Sequence, residues 1–171
     1  MPNHCHNRVE FYSDDTTAIL KLHKIFMKGI ETDDNREPTD TVFGSFIPEP
    51  DWAKVPLEEN DVKEYSFSNP RGEVGELPVY KDNGFGKGLY FPSTDVNDDR
   101  WYSWRVHNWG TKWDCYDLSI EDDEMPNGFQ AQFNTAWSPP EDIANAIKEQ
   151  FDDLSVSWFY DEPGMEVAGY L

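Results

Sequence analysis

The chain has 171 residues, of which 37% are hydrophobic and 15% aromatic, and 34 acidic against 14 basic residues give a net charge of -20. This length fits a single domain, and the many aromatic side chains exclude a wholly disordered chain, because each of them buries a large area. The acidity disfavours direct binding to nucleic-acid phosphates, which requires Lys and Arg. No apolar run approaches the roughly 20 residues of a membrane span, so we expect a cytoplasmic protein that does not bind a membrane.

The first 30 residues predict a strand followed by a helix. Residues 7–11 alternate between polar and apolar side chains, with Cys5 in phase with the apolar set. Ser13 stands where a residue capping the helix N-terminus is expected, and the helix is predicted over about 14–29. Its apolar face repeats every three to four residues, at Ile19, Leu22, Phe26 and Ile30.

Most of the Pro and Gly residues fall in the next part of the chain, which we interpret as a large irregular insertion over about 31–113. Within it, residues 42–47 predict a strand that Pro48 stops. Residues 78–91 are rich in turn-forming residues and predict a hairpin. The aromatic segment 101–106 predicts a further strand.

Regular structure continues to the C-terminus. Tyr116, Leu118 and Ile120 alternate with polar residues and predict a strand, and residues 129–135 alternate most clearly of all. Ser138 is expected to cap a second helix, with Glu141 in the capping-box position. The apolar face of that helix consists of Ile143, Ala144, Ile147 and Phe151. Residues 154–160 predict the last strand, followed by Gly164 and a short tail.

Without the insertion, the order strand, helix, strand, strand, helix, strand predicts an α+β fold. It is the ferredoxin-like βαββαβ pattern, an antiparallel sheet with both helices on one face. The expected organisation is a single domain, 1–171, with its core at about 1–30 and 114–171. The helix-covered face is expected to carry Val9, Phe11, Phe129 and Phe133. The opposite face is expected to carry His4, His6, Gln130, Gln132 and Asn134.

Metal binding is not expected. Strand alternation places His4 and His6 on one face and Cys5 on the other, so the three cannot converge on one ion. Residues 95–106 begin like a calcium-binding loop, but Arg100 replaces the required Gly and Val106 the bidentate Glu. The chain also lacks a phosphate-binding glycine loop and a G-x-S-x-G nucleophile elbow, and we predict no cofactor and no catalytic residue.

One segment concentrates tryptophans and cations in a chain otherwise poor in positive charge. Trp and Arg are frequent at binding hot spots, and they also stack on planar ligands. The candidate binding residues are Arg105, His107, Asn108, Trp109, Thr111, Lys112 and Trp113. The alternative is structural, a tight turn whose indoles fill the core.

Four unusual segments together resemble the YubB-like, or Api-like, protein family. They are Met1-Pro2-Asn3 with Cys5 and Asn7, 109–114 (WGTKWD), 135–140 (TAWSPP), and Glu162-Pro163-Gly164 with Ala168-Gly169. The family has Trp where this chain has His4. The resemblance implies a ferredoxin-like domain and a phage or plasmid origin, and it implies no activity.

These observations favour a non-enzymatic accessory protein that binds a basic host protein, as an anti-defence inhibitor or DNA mimic. An acidic surface attracts proteins that normally hold nucleic acid. The acidic interface is expected in two clusters, at Glu58, Glu59, Asp61, Glu121, Asp122, Asp123 and Glu124. The alternative is a small-ligand, nucleotide-like binder or an enzyme, using the Trp-rich turn and the polar sheet face.

Overall fold

The computed structural model describes residues 3–30, 41–56, 79–82, 87–90, 100–121 and 126–171. The chain divides into two compact units, one formed by Met1–Glu49 with Tyr102–Leu171 and the other by Pro50–Trp101.

A five-stranded antiparallel sheet organises the first unit, with strand order β4-β5-β1-β6-β7. The strands are β1 (His4–Tyr12), β4 (Tyr116–Glu121), β5 (Gly128–Ala136), β6 (Ser155–Glu162) and β7 (Val167–Tyr170). Two helices of this unit are α1 (Thr16–Ile30) and α3 (Glu141–Gln150). A third helix, α2, spans Arg100–Asn108, so the fold is α+β, with an antiparallel sheet and three helices.

The second unit contains the hairpin β2 (Val79–Asp82) and β3 (Lys87–Tyr90), which pair antiparallel. This confirms the predicted hairpin. A short 3-10 helix covers Trp52–Lys54 in the same unit.

One face of the large sheet carries the hydrophobic core. Apolar residues of α1 and α3 pack there against alternate residues of β1 and β5, as predicted. Phe133 lies near the centre, with its ring centroid 5.6 Å from that of Trp158 and 6.2 Å from that of Phe26. The buried set from these four elements is Val9, Phe11, Ile19, Leu22, Phe26, Phe129, Ala131, Phe133, Ile143, Ala144 and Ile147.

The strand predicted over 42–47 is wrong, since Phe43–Ser45 is a 3-10 helix. The amides that a strand would offer to a neighbouring strand instead bond side chains. Val42 and Phe43 donate to the carboxylate of Asp114, and Gly44 donates to the hydroxyl of Thr41. Pro48 then prevents continuation.

The strand predicted over 101–106 is also wrong, because these residues lie in α2. Aromatic content favoured a strand, but the backbone makes helical bonds, and Trp109 N donates to Arg105 O. The Asn108 side chain donates to the carbonyl of Trp104 and stabilises the last turn.

Two further expectations are corrected at the chain's C-terminal third. Ser138 does not cap α3, whose N-cap is Pro140 without a side-chain bond; the hydroxyl of Ser138 instead donates to Gly110 O. The short tail predicted after Gly164 contains a further strand, because Val167–Tyr170 pairs with β6 as β7.

A β-bulge reassigns Tyr116 to the polar face of the sheet. Asp117 has a φ of 52°, and the register shifts between Tyr116 and Ser119. Two residues on β4 therefore oppose one on β5, so Tyr116 no longer shares a face with Leu118. Strict alternation had predicted that they share one.

In the described ranges, no helix has the length and apolar character needed to cross a bilayer.

Candidate functional site

Arg105 and Trp109 are structural members of the predicted binding segment. The Arg105 guanidinium donates to Glu49 Oε2 through Nε at 2.8 Å and Nη2 at 2.6 Å, and it lies 4.9 Å from the centre of the Trp109 ring. Trp109 is fully buried, and its indole Nε1 donates to Ile47 O at 2.9 Å. Both side chains hold the turn after α2 against the core.

Lys112 and Trp113 face outward. Lys112 Nζ lies 4.3 Å from the centre of the Trp113 ring and 5.3 Å from that of Tyr102. Trp113 and Tyr102 are exposed. Among the candidate residues, Trp109 and Thr111 are buried, His107 and Trp113 are exposed, and the other three are partly buried, so the set does not converge on one pocket.

His107 and Asn108 line a surface groove of about 520 Å³ between the end of α2 and the outer side of α3. The groove is polar, and two of its side chains, Asp142 and Glu149, are carboxylates. The full lining is Phe46, Ile47, His107, Asn108, Asp142, Asn145, Ala146, Glu149 and Gln150. Arg105 and Lys112 are not part of it.

Asp114, which ends the WGTKWD segment, organises the backbone beside it. Its two carboxylate oxygens accept bonds from Val42 N and Phe43 N, both at 2.9 Å. Burial raises the pKa of Asp114, and the amide donors and the charge of Arg105 oppose that rise. This carboxylate fixes the 3-10 helix.

A hydrogen-bonded set of side chains, which we call the Thr135 network, lies at the end of the core face. It consists of Asn7, Thr111, Thr135, Ser138 and Trp158. The Thr135 hydroxyl accepts from Asn7 Nδ2 at 2.9 Å and donates to Ser138 O at 2.7 Å. Trp158 Nε1 donates to Asn7 Oδ1 at 3.1 Å.

Thr111 extends the network to the turn after α2. Its fully buried hydroxyl donates to Ala136 O at 2.9 Å and accepts from Ala136 N at 3.2 Å. Ser138 donates to Gly110 O on the same turn. The turn containing Thr111 is thus tied to the end of β5 by three side-chain bonds.

Cys5 and Glu162 lie on the same face of neighbouring strands. Burial is the main cause that raises the pKa of the Cys5 thiol from 9.0 to about 11; a hydrogen bond with Thr135 lowers it, and the charges of Glu162 and Asp161 raise it. Glu162 is 1% exposed; its Oε2 accepts from Met165 N, and its Oε1 has no hydrogen-bond partner among the described residues.

Gly164 has no room for a side chain. A Cβ at this position would lie 2.5 Å from Asn3 Nδ2 and 2.9 Å from Glu162 Oε1. The four segments behind the family resemblance therefore meet in this unit, through Asn3 and Asn7, Gly110 and Thr111, residues 135–138, and Glu162 with Gly164.

The polar face of the sheet carries a second cluster. His4 and His6 are exposed there, opposite buried Cys5, as predicted. His6 Nδ1 bonds Asn134 Oδ1 at 2.6 Å, and Asn134 Nδ2 donates to Asp117 Oδ2 at 3.1 Å. Since an amide oxygen only accepts, His6 donates to Asn134 through Nδ1.

Among the residues that the structure describes, no three His, Cys, Asp or Glu side chains are grouped to hold a metal ion. Of the predicted acidic interface, Glu121 is exposed at the end of β4. Glu58, Glu59, Asp61, Asp122, Asp123 and Glu124 lie outside the described residues.

The sequence did not predict that Trp137 is exposed, or that Glu162 Oε1 is buried without a hydrogen-bond partner among the described residues. Trp137 has a φ of 72° and is 47% exposed. Alternation along β5 gives no sign of a left-handed residue directly after the strand. The sequence predicted only a strand that ends near residue 135 and a helix cap at Ser138.

The fold and this arrangement define an α+β protein that carries a ferredoxin-like domain. Residues 112–171, 60 of the 171, match a family model described as a ferredoxin-like domain in Api92-like protein. The match agrees with the resemblance to Api-like proteins that the sequence segments indicated.

Among solved structures, the chain is similar to the crystal structure of the protein api92 from Yersinia pseudotuberculosis. The TM-score is 0.48 at 10% identity, over 99% of this chain and 93% of that chain. A likeness at this level carries no argument about function. No curated protein matches the chain.

Replacing Thr111 with Val tests the Thr135 network. The variant leaves the buried N–H and C=O of Ala136 without partners, so we expect a loss of about 2–4 kcal/mol in the free energy of unfolding. Thr111→Ser keeps the hydroxyl and is expected to lose no more than about 1 kcal/mol, the contribution of one methyl group. Chemical denaturation measures both, and a loss in Thr111→Val no larger than the loss in Thr111→Ser would contradict the role assigned to the hydroxyl.

The raised pKa of Cys5 predicts slow alkylation in the folded protein. A thiol with a pKa of about 11 instead of 9.0 has about a hundredfold less thiolate near neutral pH, and burial slows access further. In Cys115→Ser, alkylation by iodoacetamide should rise tenfold per pH unit up to about pH 10. An alkylation rate equal to that of the unfolded chain would contradict the burial of the Cys5 thiol and its raised pKa.

Proposed function

We propose that this protein is a non-enzymatic accessory protein of a phage or plasmid that binds a basic host protein through its acidic surface. The observation that carries the proposal is the net charge of -20, from 34 acidic and 14 basic residues. An inhibitor of a host defence or replication component, acting as a DNA mimic in the host cytoplasm, is the activity that this charge fits.

Several cations of the described residues already have partners within their own unit. Arg105 is paired with Glu49, and Lys54 Nζ lies 2.7 Å from Asp51. Arg100 donates to the carbonyls of Val55 and Trp52. The charge of Arg105 is neutralised by Glu49 in a largely buried pair and does little to attract an external phosphate, which supports a protein partner over a nucleic acid.

Carboxylates on α3 support the same proposal. Glu141, Asp142 and Glu149 are exposed along this helix, and the last two line the groove beside His107. Surface charges of one sign speed association with an oppositely charged protein and favour it over other partners. The groove offers carboxylate and amide acceptors to basic side chains.

The strand order supports a ferredoxin-like βαββαβ core. Without β7, the order β4-β5-β1-β6 is the second, third, first and fourth strand of that pattern. We propose that the core comprises about 1–30 and 114–171 and that 31–113 is an insertion after the first helix, within one domain.

A second candidate function is binding of a small, nucleotide-like ligand on the polar sheet face. The observation that favours it is the bonded series of His6, Asn134 and Asp117, which fixes the orientation of an exposed imidazole. The test is the melting temperature with and without a nucleotide. An increase for the native protein, but none for the His6→Gln variant, would favour this candidate over protein binding.

Binding to a host protein is expected to weaken steeply with salt. The measurement is the dissociation constant between this protein and each candidate partner captured from host extract, from 50 to 300 mM NaCl. Screening lengths shorten from roughly 13 Å to roughly 6 Å across this range, so a charge-driven affinity falls at least tenfold. Two variants neutralise the predicted clusters, one at Glu58, Glu59 and Asp61 and one at 121–124, and they are expected to bind at least fivefold more weakly.

Lys148→Gln is the control of opposite sign. Lys148 is exposed on α3, and its removal makes the protein more negative, so binding should be unchanged or slightly tighter. A partner whose dissociation constant changes neither with salt concentration nor in any of the three variants would contradict the proposal.

A further inference from the structure

The five-stranded sheet ends in two edge strands that differ in their protection. β4, at one edge, carries the acidic residues Asp117 and Glu121, and a bulge at Asp117 interrupts its pairing. Bulges and charged side chains at an edge prevent pairing with another chain. β7, at the other edge, consists of the uncharged residues Val167–Tyr170, and it pairs with β6 in an unbroken register. Of the two edges, β7 is therefore the unprotected one.

The register on β6 determines which backbone groups of β7 point outward. Leu171 N donates to Trp158 O at 3.0 Å, and these two residues continue the register of the two strands. Hydrogen-bonded and non-hydrogen-bonded pairs alternate along an antiparallel ladder, so Gly169 also directs its N–H and C=O toward β6. Ala168 and Tyr170 direct theirs away from β6, to the outer edge of the sheet.

The outer edge of β7 is open. Within the described parts of the chain, β7 pairs with β6 alone, and no backbone group bonds the N–H or C=O of Ala168 or Tyr170. Ala168 is exposed, Val167 is 44% exposed, and Tyr170 is 69% exposed. Both the backbone and the side chains of β7 are thus accessible to a further strand.

A second copy of β7 fits this edge. In an antiparallel pair, residues whose N–H and C=O point outward must face each other. Two copies related by a two-fold axis meet this condition when Ala168 of each copy faces Tyr170 of the other, with Gly169 on the axis. If Ala168 faced Ala168 instead, Tyr170 would face Glu166, whose φ of 57° lies outside the extended region. The first register is therefore the better one, and its two hydrogen-bonded pairs supply four backbone bonds.

The side chains match in the same register. Tyr170 and Ala168 lie on the polar face, opposite Phe159 and Asp161 of β6, so each tyrosine ring would cover the alanine methyl group of the other copy. Gly169 presents no side chain at the axis. Because β7 has no charged residue, two copies bring no like charges of this strand together. The strand also has no carboxylate that would favour a segment of a basic protein.

We propose that β7 is a dimerisation strand, through which two copies of this chain join their five-stranded sheets into one continuous sheet. This inference goes beyond the proposed function and does not depend on it. Its physical basis is a row of outward N–H and C=O groups that is complementary to itself and that neither charge nor a bulge protects.

Analytical ultracentrifugation of the full chain tests the proposal, with a monomer–dimer equilibrium in the micromolar range as the expected result. Two copies that each carry a net charge of -20 repel each other at long range. Salt screens this repulsion, so the dissociation constant of the dimer should fall by about threefold or more between 50 and 300 mM NaCl. Binding to a basic partner should weaken over the same range, so the failure of one proposal is distinguishable from the failure of the other.

Two variants at one position isolate the outward backbone group. Ala168→Pro removes an N–H that points away from β6, so it removes no bond between β6 and β7, and proline is tolerated on edge strands. We expect it to weaken the dimer by about tenfold or more. Ala168→Ser keeps the N–H and is the matched control, with an expected change of less than twofold.

Amide hydrogen exchange of the native protein provides a measurement that does not depend on the folding of a variant. The amides of Ala168 and Tyr170 should exchange rapidly in dilute solution and become protected as the protein concentration rises. The amide of Gly169, which points toward β6, should be protected at both concentrations.

Either of two results would overturn the dimer. One is a chain that stays monomeric up to about 1 mM protein, the weak end of specific association, with Ala168 and Tyr170 exchanging rapidly throughout. The other is a monomeric chain in which these two amides become protected only when a basic partner is added, which would assign the edge to a strand of that partner.

Discussion

The hydroxyl of Thr135 is the interaction on which the arrangement of the site depends. It accepts from Asn7 on β1 and donates to the carbonyl of Ser138, where the chain leaves the sheet. Asn7 in turn holds Trp158 on β6. One buried hydroxyl thereby couples two neighbouring strands to the segment that enters α3. Burying a polar group is costly unless it is bonded, and bonded networks of this kind favour a single arrangement.

The network explains how an acidic, modestly hydrophobic chain keeps a defined surface. Aromatic side chains supply most of the core volume, and the polar bonds at its end fix where the chain turns. Arg105, the cation nearest the buried rings, is neutralised by Glu49. Most remaining charge lies outside the core, and the described surface offers a partner exposed carboxylates, some exposed lysines such as Lys148, and a few exposed aromatic rings, Trp137 among them.

The sequence was sufficient to predict a helix or strand where one face of that element is strongly apolar. The alternation along β5 and the helical repeats of α1 and α3 predicted both the elements and their buried sides, except that Ile30, predicted on the apolar face of α1, is exposed. The prediction failed where a single side-chain bond or a left-handed residue overrides the pattern. Asp114 takes the amides that a strand at 42–47 would use, and a left-handed Asp117 moves Tyr116 to the other face. The aromatic residues of 101–106 led to a predicted strand where the structure has α2, because aromatic residues favour strands but also occur in helices.

The candidate site was predictable only in part, for the same reason. The segment 105–113 was identified as unusual, but composition alone could not separate buried Trp109 from exposed Trp113. The Thr135 network joins residues more than 100 positions apart, as in the bond between Asn7 and Thr135. Single-sequence periodicity does not report such pairings. The resemblance to a family identified these segments, but it did not predict that they lie close together in the fold.

Amide hydrogen exchange at Ala136 and Trp137 tests most directly whether the Thr135 network holds this turn rigid. Both amides are bonded, to the Thr111 hydroxyl and to Asn3 O. They should exchange only through global unfolding, as slowly as the amide of Val9 in the central strand, although the Trp137 side chain is exposed. Exchange at the rate of a surface loop would contradict the account.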